Sequence, residues 1–230
     1  MKNHQKDLTA RPSEQRWRLR RMCAMAMLCA LAFLAVALIR IPVVSFLKYE
    51  PKDVLLVIGG FLFGPVYGGL MCAVVALVEM VTISDTGIIG FIMNLLSSGL
   101  FVCIAAGFYH RKRTLKSALL GLIVGVLAMT AGMLLWNYLI TPLYMNVPRS
   151  AVAGMLWTVF LPFNLLKGGL NAALSMVLYK GVAGALRAAH LFPPADTDGR
   201  PVKQQPMVWL GALFVAATLV VVALVWSGKI

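Results

Sequence analysis

The stretch "VLLVIGGFLFGPVYGGLMCAVVALVEMVTI", residues 54–83, decides how the chain is built. It reads either as one very long apolar helix or as two helices broken at Phe63-Gly64-Pro65. Proline lacks a backbone donor and disfavours helix at the residue before it, so the Gly-Pro pair favours the break. Charge placement tests the choice. Seven basic residues fall in the first 21 positions, and His110-Arg111-Lys112-Arg113 with Lys116 forms a second cluster between two apolar runs. With two helices in 54–83, the tail, this cluster and the 187–206 segment share one side of a bilayer. With one helix, the cluster crosses to the other side. Basic residues flanking spans collect on the cytoplasmic face, so two spans are predicted.

That a bilayer is involved follows from composition. Of 230 residues 60% are hydrophobic and 13% charged, more apolar surface than one soluble core of this length hides. A hydrocarbon layer about 30 Å thick takes about 20 apolar residues per helix. Runs of that order occur at 22–39, 88–108, 118–140, 154–186 and 208–226, which with the divided 54–83 stretch gives about seven spans. The formal charge of +13 sits in tails and short loops, and no aromatic-basic nucleic-acid module accompanies it. The chain is thus organised as a disordered basic cytoplasmic tail (1–21), a membrane domain (22–186), a cytoplasmic linker (187–206) and a further transmembrane helix (207–230). It is predicted to be a multi-pass plasma-membrane protein with a cytoplasmic N-terminus. Cys23, Cys29, Cys72 and Cys103 all lie in apolar runs without zinc spacing, and read as small hydrophobes. No internal repeat is apparent, which weakens an inverted-repeat carrier reading.

Several polar side chains sit where lipid-compatible residues are expected. In "LPFNLLKGGLNAALS", residues 161–175, Lys167 facing lipid would cost about 2.5–3.5 kcal/mol. Asn164 lies three positions before it and Asn171 four after, so all three share one helical face. Pro162 loosens the local backbone, which is tolerable only inside protein or beside a cavity. The bland alternative, an amine bonded within the bundle or snorkelling to an edge, is outweighed by the paired asparagines and the proline. Asn137, Glu79 and Asn94 fall at the same outer depth, which suggests an outward-opening cavity. With Trp136, Trp157, Phe160 and Phe163 around it, such a cavity suits a flat, mostly apolar ligand with a rim of carbonyl and N–H groups.

The segments "FLKYEPKDVLLVIGGFLFGPVYG", "NYLITPLYM" and "FNLLKGG" together resemble the riboflavin-specific substrate-binding (S) component of energy-coupling factor (ECF) transporters. The resemblance covers roughly residues 22–186 and implies an all-α integral membrane protein with a six-helix S-component bundle, to which 207–230 adds an extra C-terminal transmembrane helix. It implies that Leu47, Lys48 and Tyr49 belong to a loop that lids the vitamin. It also implies that Asn137, Asn164 and Lys167 hydrogen-bond the polar edge of the isoalloxazine ring. Amides and an ammonium suit the carbonyl, N–H, carbonyl series on that edge. Glu79 and Asn94 are the weaker candidates for the ribityl hydroxyls. Small residues on the first helix, Ala26 and Ala30, would face a transmembrane coupling (T) subunit, and two cytoplasmic ATPases would supply energy. Riboflavin is then cargo, with no cofactor and no catalytic residues.

The lack of a G-x-x-x-x-G-K-[ST] sequence fits a chain that hydrolyses no ATP itself. The competing readings are an S component for another aromatic vitamin or precursor, and a solitary ion-coupled carrier using Glu79 or Asp85. A membrane enzyme ranks last, since no triad, metal cluster or paired catalytic carboxylates appear in a span.

Overall fold

The structure, a computed structural model, describes residues 3–191 apart from 45–46 and 85. The linker beyond 191 and the helix expected at 208–226 lie outside the described residues. Helix α1 (Asn3–Leu38) leads through two short strands, β1 (Ile41–Val44) and β2 (Leu47–Tyr49), to α2 (Lys52–Phe63). Then follow α3 (Pro65–Thr82), α4 (Gly87–Lys112), α5 (Leu115–Met145), α6 (Arg149–Met155), a π-helical turn (Leu156–Phe160) and α7 (Leu161–Ala188). Residues 149–188 form one continuous apolar rod, so the described helices make six rods.

The break in 54–83 falls at Gly64, whose φ of 108° is open to glycine alone at little cost. The chain reverses there. A Cβ built on Gly68 would lie 3.0 Å from the Cα of Gly60, whereas eight residues along a straight helix are about 12 Å apart. The start of α2 accordingly meets the end of α3. What the sequence did not show is how short α2 is: twelve residues make about 18 Å, well under a hydrocarbon thickness. All of α2 except Leu55 is buried, so it is an internal helix, hydrophobic for its protein neighbours and not for lipid. Five described helices are long and apolar enough to cross a membrane, against the six spans expected in this part of the chain.

Two other expectations change. Residues 1–21 read as a disordered tail, yet α1 begins at Asn3 and runs unbroken into the first span. The segment is rich in strong helix formers. Arg21 anchors it, donating from Nη2 to the Tyr67 hydroxyl at 2.7 Å and stacking 4.3 Å from that ring's centroid. The connection after α1, expected as a loop, contains an antiparallel hairpin pairing Ile41 with Tyr49 and Pro42 with Lys48.

Lipid supplies no hydrophobic drive between spans, so close backbone approach and packing hold the bundle. The α4–α5 contact shows this. An ideal Cβ on Gly121 would lie 2.7 Å from the Ala105 carbonyl oxygen, and one on Gly125 2.9 Å from that of Phe101. Backbone cannot yield as a side-chain tip can. Gly121→Ala should therefore cost about 1–3 kcal/mol through overpacking, lowering the thermal midpoint in detergent. Gly107→Ala, with nothing within 4 Å of the new methyl, should leave it unchanged or raise it. Equal midpoints for the two variants would show that the helices are not held by this approach.

Candidate functional site

Pro162 shapes the first part of α7 and the turn before it. It has no N–H, and its ring crowds the carbonyl four residues back. The helix widens into the π-turn immediately before it, a usual accommodation in helices at functional sites. Asn164 then donates Nδ2 to the Phe160 carbonyl at 2.7 Å, which leaves its Oδ1 as the acceptor. One turn on, Lys167 emerges on the same face; both are buried.

These residues meet a cavity of about 160 Å³, roughly ten times what a single water needs. Asn137, Asn164 and Lys167 line one part of it. Glu79 and Asn94 line it too, and Leu47 and Lys48 from β2 border it as well. Tyr49 does not line it. Its hydroxyl instead donates to Asn171 Oδ1 at 2.8 Å, clamping the hairpin's last residue to α7. Of the aromatic groups expected around a ligand, Phe163 lines this cavity and Trp136 an adjoining apolar one shared with Asn137. Phe160 is buried in packing, and Trp157 points away, 68% exposed. Trp157 sits in the π-turn.

The amides are partly committed already. Asn137 donates to the Met133 carbonyl at 2.7 Å and accepts from Thr141 Oγ1 at 2.9 Å. A carboxamide has two N–H groups and two lone pairs, so one of each remains. Asn94 donates to Glu79 Oε2 at 2.9 Å. Glu79 Oε1 is buried without a partner, an acceptor at the cavity wall that needs a hydroxyl or an N–H.

The electrostatics rest on residues that sequence reading left without a role. Lys52, 1% exposed, lies 2.6 Å from Glu79 and 3.1 Å from Glu50. Arg40 pairs with Glu50 at 3.3 Å and donates to the Ile83 carbonyl at 3.2 Å, tying the end of α1 to the end of α3. Asp53, completely buried, lies 3.8 Å from Lys167 and accepts from Ser98 and Asn171. Ser97 accepts from Lys167 at 3.5 Å. The signal was present in "EPKD", residues 50–53: three charges opening an apolar run require partners, and those partners are the cavity's own polar residues. Asp85 lies outside the described residues.

Ala26 and Ala30 are exposed, on the face of α1 away from Ala24, Leu28, Ala32 and Val36, which pack inward. Among the described residues no cluster of His, Cys, Asp and Glu could hold a metal.

The chain is similar to the riboflavin transporter RibU of Staphylococcus aureus, 29% identical over 178 residues covering 73% of this chain and 93% of that one. It is also similar to the riboflavin transporter RibU of Streptococcus thermophilus, 27% identical over 171 residues, 70% of this chain and 81% of that one. A solved structure described as "Structure and mechanism of the S component of a bacterial ECF transporter" superposes with a TM-score of 0.62 at 28% identity, over 74% of this chain and 99% of that chain. Residues 20–179 match the family described as ECF transporter, substrate-specific component. Six rods around a polar cavity are the form that this match takes here, and the chain belongs to the substrate-specific component family of ECF transporters.

Proposed function

We propose that this chain captures riboflavin in the outer cavity and delivers it as the binding subunit of an ECF transporter. The observation that carries the reading is that Asn137, Asn164 and Lys167, from two separate helices, line one cavity together with Glu79 and Asn94. The first three donate to and accept from the ring edge. Glu79 Oε1 and Asn94 receive the ribityl hydroxyls, and Leu47 and Lys48 cover the ligand while Tyr49 anchors their strand. Both relatives that carry the name riboflavin transporter support this choice of vitamin.

Charge balance favours riboflavin over its phosphate. Arg40, Lys52 and Lys167 each already have a carboxylate partner in Glu50, Glu79 or Asp53. A phosphate dianion drawn to any of these three would compete with a carboxylate already in place. Lys48, also at the cavity's border, is solvent-exposed, and lone arginine forks that suit phosphate are not among the lining residues. The chain places its N-terminus in the cytoplasm, since the cavity opens at the ends of α1 and α3 opposite the basic 110–116 cluster. Ala26 and Ala30 meet a T subunit, and two partner ATPases supply the energy.

Purified protein from flavin-containing cells should be yellow and should bind riboflavin in preference to flavin mononucleotide, thiamine and biotin. Asn164→Ala should weaken riboflavin by roughly 3- to 10-fold, the worth of one neutral hydrogen bond. Wild-type protein that shows no flavin absorption and no saturable titration would sink the reading.

A further inference from the structure

Asp53 does not line the cavity, but its neighbour Lys167 does. It stands in the first turn of α2, completely buried. Its Oδ1 accepts from Ser98 at 2.5 Å, its Oδ2 from Asn171 at 3.2 Å, and Lys167 Nζ lies 3.8 Å from Oδ2. All three neighbours present donors to it, so the site suits a side chain that offers two acceptor oxygens. Lys167 in turn has three N–H groups. One faces Asp53 and one donates to Ser97, which leaves one for the cavity. Both contacts are long, so the ammonium is aimed without being saturated.

We infer that Asp53 is the positioning residue for ligand recognition: it holds the Lys167 ammonium pointed at the ligand while never touching the ligand itself. The inference rests on the riboflavin site proposed above. It adds a coupling between α2 and α7, and through Asn171 and Tyr49 it joins the hairpin over the cavity to the same carboxylate. Asparagine at this position has nearly the same shape but only one acceptor oxygen, and its NH2 would face a neighbour that is itself a donor.

The test is a double-mutant cycle in riboflavin affinity, run on the full chain in detergent. Asp53→Asn should weaken binding on the order of tenfold, the scale of one charge-assisted bond. In a Lys167→Met background the same substitution should change affinity less than about threefold, because its effect passes through an amine no longer present. The visible bands of bound riboflavin should move in Asp53→Asn towards those seen in Lys167→Met. If Asp53→Asn fails to fold, Ser98→Ala loosens the carboxylate without stranding a charge and replaces it in the cycle. Equal losses with and without Lys167, or unshifted bands, overturn the inference while leaving the site reading intact. Wild-type protein that binds no riboflavin overturns both.

Discussion

A chain carrying Lys167→Met should bind riboflavin on the order of 100-fold more weakly than wild type, the upper range for loss of a charge-assisted bond. Methionine keeps much of the lysine stem, so packing at this buried position (7% exposed) is largely preserved and the loss is chemical. Two effects add. The ring edge loses its one ammonium donor, and Asp53 becomes a buried carboxylate with only Ser98 and Asn171 to satisfy it. The second effect lowers stability too, so affinity has to be measured on protein shown to be folded, by titration of riboflavin fluorescence quenching. Lys48→Met is the internal comparison: its charge is exposed at the cavity's border, where solvent screens it, and a several-fold loss at most is expected. If Lys167→Met binds within threefold of wild type, the ammonium is not a ligand group, and the cavity is read wrongly.

Much of this arrangement is legible in the chain alone, and the reason is that lipid makes polar residues conspicuous. Asn164 and Lys167 stand out against their surroundings, and Gly64-Pro65 breaks an apolar run that nothing else would divide. Both readings depend on local rules with large energies. The parts that escaped depend on length and distance in three dimensions. Helix α2 has a span's composition but only twelve residues, and hydropathy does not separate a buried helix from a lipid-facing one. The 41–49 hairpin holds two short strands without alternating burial strong enough to register. Asp53 was hidden by its neighbours in sequence: beside Pro51 and Lys52 it looked like loop polarity, whereas its partners Ser98 and Asn171 lie 45 and 118 positions away. Trp157 shows the converse error. It is named among the aromatic groups around the ligand, yet it stands in the π-turn before Pro162 and is 68% exposed.

The largest stability loss is expected from Lys52→Met. Lys52 is the single cation between Glu79 at 2.6 Å and Glu50 at 3.1 Å, and its removal strands the Glu79 carboxylate where almost no solvent reaches. Breaking one side of such a buried pair costs about 3–5 kcal/mol, and salt in the buffer restores little of it because buried pairs are weakly screened. Glu79→Gln should cost less, since Lys52 keeps Glu50 and the amide still accepts from Asn94. Combining Lys52→Met with Glu79→Gln should recover most of the loss, as removal of both charges often does. Glu50, in the connection outside the spans, adds a pH signature. Burial pushes its pKa up, but Lys52, Lys167 and Arg40 together hold it below the ordinary carboxylate value. A depressed carboxylate stabilises the fold above its unfolded pKa, and that contribution is lost as pH falls through the lowered folded value. Without Lys52 the depression shrinks, so the acid-side fall in thermal midpoint should be shallower than in wild type. Thermal scans between neutral and acidic pH separate the cases: a Lys52→Met midpoint equal to wild type at neutral pH, or no recovery in the double variant, would mean that the helix ends around the cavity are not held together by this charge.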